Sequence, residues 1–384
     1  MRILFISHSS PLKEGGAETR TREVAFRLAL SGHTVTILCG KTDVKDPPVI
    51  EVNGVRIVSK KTLPNVLLRR YPYPHYFSLA AANLFLMFYI PRFVREGKFD
   101  LIREDLAPFP PSFLLSLAHL PGRRIAVAHM LSRTLKGWAK YYGLVFGLAG
   151  FVMDRLLRSG VLKYDRIICA AKWFADEMKE SPAIAGKVCY VPNGVNLDEF
   201  SPASPGPNDN RNIRLLSVGR LAETKGHRYV IEALSYLKLD YPGTKLDILG
   251  NGPLKRSLRE ISQSFGVADM VEFRAPVGHA EMPKLYHRYD FLVMPSIWEG
   301  LPVSLIEAMA SKLPIIATDI PAITDVLGMD SATFASKEDA RDLAEKLRWA
   351  FQHPDRVRKH AQSAYEIAKR YDWAATASQE VEEA

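Results

Sequence analysis

Two series of short apolar runs, each run followed by a helix-like or loop segment, are separated in this chain by a stretch that cannot enter a core. The first series falls at 2–7, 34–38, 55–58, 101–102, 124–128, 166–170 and 188–191, the second at 214–218, 245–249, 271–273, 291–294 and 314–318. Runs this short and this rich in Val, Ile, Leu and Phe read as strands. The helix-like segments between them (17–31, 226–236, 253–265 and 280–286) imply parallel pairing with helices on both faces. The intervening 201–212, SPASPGPNDNRN, has three prolines and almost no apolar surface, so it is expected to run exposed between domains. At 384 residues the chain also exceeds what one core usually organises. The expected fold class is α/β, two Rossmann-like domains facing across a cleft. The first spans 1–200, the second 201–370, and a last helix within 371–384 crosses back to the first. Open α/β sheets bind ligands beyond the carboxyl ends of their strands, so the loops that follow strands are where chemistry is to be sought.

One such loop stands out. Residues 295–310 read PSIWEGLPVSLIEAMA and hold Glu299 and Glu307 with seven residues between them. The strand 291–294 precedes it, 295–300 forms the connection, and Pro302 suits the first position of a helix. Glu299 then sits on the loop and Glu307 more than one turn into the helix, so the two carboxylates reach a ligand at different depths. A helix start favours an anion, and carboxylates beside it accept sugar and ribose hydroxyls. An ordinary capped surface helix would read the same way if the pair stood alone.

The strand 214–218 leads into Gly219-Arg-Leu-Ala-Glu-Thr-Lys-Gly226, which places Arg220 and Lys225 beyond a strand's carboxyl end. Two cations there can neutralise a diphosphate, and in transfer from a nucleoside diphosphate the negative charge grows on the leaving phosphate, where fixed cations act most strongly. Gly250-Asn251-Gly252-Pro253 joins a strand to a helix through a turn that lets backbone approach a ligand, which makes Asn251 and Gly252 candidates for donor contact. It lacks the third glycine of a dinucleotide fingerprint. So does the opening loop Gly15-Gly16-Ala17-Glu18, and a dehydrogenase is therefore disfavoured. Gly15 and Gly16 lead into a helix either as a tight turn or as a cover for a phosphate. His129 ends the run 124–128 and either supports the strand or touches a sugar. Pro192-Asn193-Gly194-Val195 is a strong turn signal.

The net charge of +9 is uneven: residues 1–200 carry 28 Lys and Arg against 17 Asp and Glu, and residues 201–384 carry 23 against 25. The first half either faces something anionic or presents a solvated basic face. The greasy runs 79–90 and 144–153, the latter flanked by Lys136, Lys140, Arg155 and Arg158, are too short to span a bilayer and read as buried helices or a surface-dipping element. From these follows the expectation of a lipid-linked or glycan acceptor and of peripheral contact with the anionic inner face of a membrane. Basic residues are not interleaved with aromatics in any recognisable module, so no nucleic-acid partner is expected. Cys39, Cys169 and Cys189 lack metal-ligand spacing and read as reduced, mostly buried thiols. The amino terminus reads as a first strand rather than a secretion signal, which makes a cytoplasmic protein the expectation.

Taken together these segments resemble the retaining glycosyltransferases of family 4, which have the GT-B fold. Gly15-Gly16-Ala17-Glu18 is similar to that family's opening loop, Pro192–Val195 to its turn before the linker, and Val218-Gly-Arg-Leu with Lys225-Gly226 to its phosphate-binding words. Gly250–Pro253 and Glu299–Ala310 match as well, the last most specifically. The resemblance implies that Arg220 and Lys225 bind the donor's diphosphate, Glu307 its ribose and Glu299 the transferred sugar, with Gly300 and Leu301 beside it. It implies that His129 meets the sugar from the first domain, that backbone near 274–277 meets the base, and that neither metal nor cofactor is needed. Two departures stand out: no carboxylate follows His129-Met130-Leu131-Ser132, and 319–325, DIPAITD, replaces the family's glycine pair. The rival readings are a non-catalytic partner subunit of the same fold and a sugar-nucleotide epimerase.

Overall fold

The computed structural model describes residues 1–7, 9–13, 15–40, 47–60, 89–106, 120–128, 162–202 and 212–384. Two compact units emerge, Met1–Asn193 with Trp373–Ala384, and Gly194–Asp372. The division precedes the proline-rich stretch because the chain after Asn193 bonds to the second unit. Val195 N donates to Tyr371 O at 2.9 Å, and Phe200, 1% exposed, packs its ring against His279 and Tyr286.

The first unit is an eight-stranded sheet built from β1 (Arg2–Ser7), β2 (Thr34–Gly40), β3 (Val49–Val52), β4 (Val55–Lys60), β5 (Leu101–Leu106), β6 (Arg123–Ala128), β7 (Arg166–Cys169) and β8 (Val188–Tyr190), in the order β3-β4-β2-β1-β5-β6-β7-β8. Pairing is parallel throughout except for the hairpin β3–β4. That hairpin turns on Asn53 and Gly54, both with positive φ, as a tight two-residue turn requires. The sequence pattern did not show β3, an edge strand with no buried residue. Strand order reverses at β1, so the helix Gly16–Leu30 begins beside a switch point. Cys39 and Cys169 are buried and Cys189 half-buried. Burial pushes the Cys169 thiol up to about 12 and the Cys189 thiol, which also faces Glu383, up to about 11.

The last helix, Trp373–Glu382, is fastened to this unit by buried charge. Glu380 Oε1 accepts from Arg20 Nε at 2.9 Å and Glu380 Oε2 from Arg103 Nε at 2.8 Å. Arg20 also donates to Val191 O at 3.0 Å and Asn193 Oδ1 at 2.9 Å. Arg103 reaches Asp105 at 2.8 Å and lies over the Phe5 ring at 4.6 Å. Two guanidiniums and two carboxylates thus balance in a site closed to water, the condition under which buried charge is tolerated.

The second unit is an all-parallel sheet of β9 (Arg214–Val218), β10 (Lys245–Leu249), β11 (Val271–Arg274), β12 (Phe291–Met294), β13 (Ile315–Thr318) and β14 (Thr333–Ala335), in the order β11-β10-β9-β12-β13-β14. From β9 the chain winds outward through β10 and β11, then returns to β9's other side at β12. The switch point therefore lies between β9 and β12, and the loops that leave those two strands flank it. Sequence patterning missed β14 and the helices Ala340–Gln352 and Pro354–Ala368 that follow it. The first of these is capped by Asp339, whose Oδ1 accepts from Arg341 N and Asp342 N. Its buried Leu343, Leu347 and Ala350 join the same core as Val230, Ile231 and Leu234 of the helix His227–Leu237. In place of the glycine pair of family 4, Pro321–Thr324 forms one helical turn with Ile323 fully buried.

Candidate active site

The loops leaving β9 and β12 are stitched together by their backbones. Ile297 N donates to Thr224 O at 2.8 Å. Gly226 has φ 62°, and a Cβ placed on it would stand 1.9 Å from Pro295 O, so both conformation and space demand glycine there. Residues 250–252 close the other side. A Cβ on Gly250 would stand 1.9 Å from Gly219 O and one on Gly252 2.4 Å from Leu221 O, while Leu221 N donates to Asn251 O at 2.9 Å. These two glycines let one loop backbone lie against another. That is a different reason for glycine from the ligand approach expected of them.

Within this frame Lys225 Nζ lies 2.6 Å from Glu299 Oε1. Ser296 Oγ donates to the same oxygen at 2.8 Å, and Thr318 Oγ1 in turn donates to Ser296 O. The lysine stem passes over Gly219, where an added Cβ would come 3.0 Å from Lys225 Cε. Arg220 lies exposed on the same loop. Glu299 is buried, Gly300 half-buried and Leu301 buried. Pro302 is the cap residue rather than the first helical one, and the helix is Val303–Ala310. Its ψ of 123° explains the difference, since the backbone turns helical only at Val303.

Glu307 does not join the Lys225–Glu299 pair. It is 3% exposed, with Oε2 accepting from Tyr286 Oη at 2.8 Å and Oε1 3.0 Å from His279 Nε2. Burial, and then the charge of Glu307, push the Tyr286 phenol well above its usual range. Arg274, at the end of β11, is paired with Asp247 at 2.7 Å and Glu272 at 2.8 Å, and its carbonyl accepts from Gly250 N at 3.1 Å. In the first unit Gly15 and Gly16 begin the helix after β1 and are exposed. A Cβ on Gly15 would meet the Glu18 carboxylate, which itself accepts from Ser9 Oγ at 2.5 Å. His129, the greasy run 144–153 with its flanking cations, and nearly all of 79–90 lie outside the described residues. Among the described residues no group of three or more His, Cys, Asp or Glu is placed to hold a metal ion.

Three side chains that matter here were not singled out from the sequence: His227, His279 and Tyr286. His227 opens the helix after Gly226, is 2% exposed and sets Nδ1 3.1 Å from Ser217 Oγ. Burial, helped by the charge of Lys225, pulls its imidazole down to about 3, so the ring is neutral. It joins β9 to the Lys225 loop without adding charge. Only its place directly after Lys225-Gly226 could have marked it.

Residues 198–370 match the family Glycosyl transferases group 1, and residues 14–199 match Glycosyltransferase Family 4. The chain belongs to the glycosyltransferases, family 4-like, with the GT-B fold. A putative colanic acid biosynthesis glycosyltransferase, WcaL of Escherichia coli K12, is 32% identical over 50% of this chain and 48% of its own length, so that match spans about half of either protein. Glycogen synthase of Mycobacterium tuberculosis H37Rv is 28% identical over 98% of this chain and 93% of its own. Among solved structures, sucrose-phosphate synthase of Thermosynechococcus elongatus superposes with a TM-score of 0.83 at 20% identity, covering 99% of this chain and 97% of the other.

Proposed function

We propose that this glycosyltransferase moves a sugar from a nucleoside-diphosphate sugar to an acceptor hydroxyl with retention of anomeric configuration. The observation that carries the reading is the Lys225–Glu299 pair at the β9–β12 switch point. A cation there stabilises the charge that grows on the departing diphosphate, and a carboxylate beside it accepts hydroxyls of the transferred sugar. Arg220, exposed on the same loop, supplies a second cation to the phosphates, and Glu307 accepts from the ribose. In this reading neither glutamate takes the part of a covalent nucleophile: Glu299, bonded to Lys225 and Ser296, serves the sugar hydroxyls, and Glu307, bonded to Tyr286 and His279, serves the ribose. Transfer on the front face follows: the bond from the anomeric carbon to the leaving phosphate oxygen breaks, the acceptor oxygen attacks from the same side, and its proton passes to the leaving phosphate. No metal or cofactor enters these steps. The acceptor proposed is a glycan or a lipid-linked molecule at an anionic membrane face, supported by the basic excess of residues 1–200.

The deciding experiment is a thermal-shift screen of sugar nucleotides, followed by NMR of the product made from the stabilising donor with glycan and lipid-linked acceptor extracts. Retention predicts the donor's own anomeric configuration in the product. An inverted product removes the front-face step, stabilisation without turnover on any extract favours the partner-subunit reading, and isomerised donor in the absence of acceptor favours the epimerase. Failure to sediment with vesicles containing anionic lipid at low salt removes the membrane part.

A further inference from the structure

Glu307 and Glu380 are both buried carboxylates on helices, yet they are satisfied in different ways. Glu380 meets two guanidiniums and is neutralised. Glu307 meets one phenol and one imidazole, each on a single oxygen, on a helix flank where Ile306, Ala308 and Met309 are fully buried. A buried carboxylate that takes one donor on each oxygen keeps acceptor capacity, because each oxygen can take a second hydrogen bond. Such an arrangement is costly for a purely structural group. It suits a group that must point two oxygens in a fixed direction at two hydroxyls on adjacent carbons.

We infer that Tyr286 and His279 are positioning residues that orient the Glu307 carboxylate to read the 2′- and 3′-hydroxyls of a ribose. This rests on the donor reading above, in which Glu307 faces the ribose, and adds how its orientation is fixed. Tyr286 Oη–H donates to Oε2 and His279 Nε2–H donates to Oε1, so rotation about the last side-chain torsion would break both bonds at once. Phe200 holds both anchors: its ring meets that of His279 edge-on at 5.6 Å and that of Tyr286 at 6.1 Å. The segment 194–200, whose sequence reads as a plain turn and connection, thereby becomes part of the support for the carboxylate.

The test compares binding of UDP and GDP with their 2′-deoxy counterparts by calorimetry, using the full chain. Hydrogen bonds to a charged group correspond to roughly a tenfold or larger preference for the ribose form in the wild type. Tyr286→Phe and His279→Leu are expected to bring that preference below about threefold, and His279→Gln, which keeps a donor, to restore most of it. If Tyr286→Phe does not fold, the two His279 variants decide. Folded variants that bind with an undiminished ribose preference overturn the inference, as does a wild type that binds ribose and deoxyribose forms equally, which leaves the donor reading standing. A wild type that binds no nucleoside diphosphate overturns the donor reading itself.

Discussion

Lys225 and Glu299, 74 residues apart in the chain, meet at 2.6 Å because β9 and β12 are neighbours in the sheet and their loops share a backbone hydrogen bond. With the lysine side chain 20% and the glutamate 9% exposed, the pair is shielded enough that removing one partner strands the other. Lys225→Ala and Glu299→Ala are each expected to lower turnover by about tenfold or more, with the fold retained in circular dichroism. Arg220→Ala is expected to do the same through the diphosphate. A double-mutant cycle on Lys225 and Glu299 should show coupling of about 1–2 kcal/mol in stability. Near-normal turnover in any single variant removes that residue from the site.

Three glycines set the distance between the site loops, and the space they leave is filled by backbone rather than by flexible side chains. Gly226→Ala, Gly250→Ala and Gly252→Ala each thrust a methyl group against a carbonyl oxygen, and each is expected to cost about 2 kcal/mol or more. Gly186, with nothing within 4 Å of its would-be Cβ, serves as the control: Gly186→Ala should leave the melting temperature unchanged or raise it slightly. A melting temperature for Gly250→Ala equal to that of Gly186→Ala would contradict the packing described.

His227 gives the second unit a signature in acid. Its imidazole is pulled from the ordinary 6.5 to about 3 in the fold, so between those values the unfolded chain binds a proton that the folded one does not. Stability should be level above about pH 6.5 and fall as pH drops toward 3, by up to about 1.4 kcal/mol per pH unit from this group. Urea midpoints followed from about pH 7.5 to 4.5 should decline more steeply in the wild type than in His227→Gln. Parallel profiles would show that the ring is not held neutral.

The sheet strands and the paired carboxylates could be read from local sequence because both signals are local. Apolar runs bounded by turn residues marked β9, β10 and β12 at their observed limits, and a glutamate on each side of a helix start marked 295–310. What escaped was decided by distant partners or by partial burial. The edge strand β3 has no buried residue, so no apolar run announces it. Tyr286 and His279 acquire meaning only when β12 and the helix after it bring Glu307 between them, 21 and 28 residues on. Gly250 and Gly252 were visible as a turn, but the reason for them, an adjacent loop backbone, is tertiary. Glu380 left a trace that could have been used: it shares a helical face with the buried Trp373, Thr376 and Ala377, and a carboxylate on an apolar stripe calls for a cationic partner. Arg20, 360 residues away, could not have been identified as that partner.

The attachment of the last helix can be tested through that carboxylate. Burial alone would raise the Glu380 carboxyl, but Arg103 and Arg20 outweigh it and hold the group below its ordinary 4.5. Its contribution to stability is therefore present above about pH 4.5 and lost as pH falls through the lower folded value, beneath most of the window in which His227 acts. Glu380→Gln keeps the shape but leaves Arg20 and Arg103 facing each other with only Asp105 to balance them, and is expected to cost about 3–5 kcal/mol. The loss should be local at first. Hydrogen exchange in Trp373–Glu382 should accelerate strongly while the amides of β9 and β12 stay protected, because the ion network lies wholly within the first unit. Arg20→Met combined with Glu380→Gln should cost less than the sum of the two single changes, since removing both members leaves fewer unbalanced charges in the buried site. Unchanged exchange in that helix on Glu380→Gln would mean that apolar packing around Trp373 holds it instead.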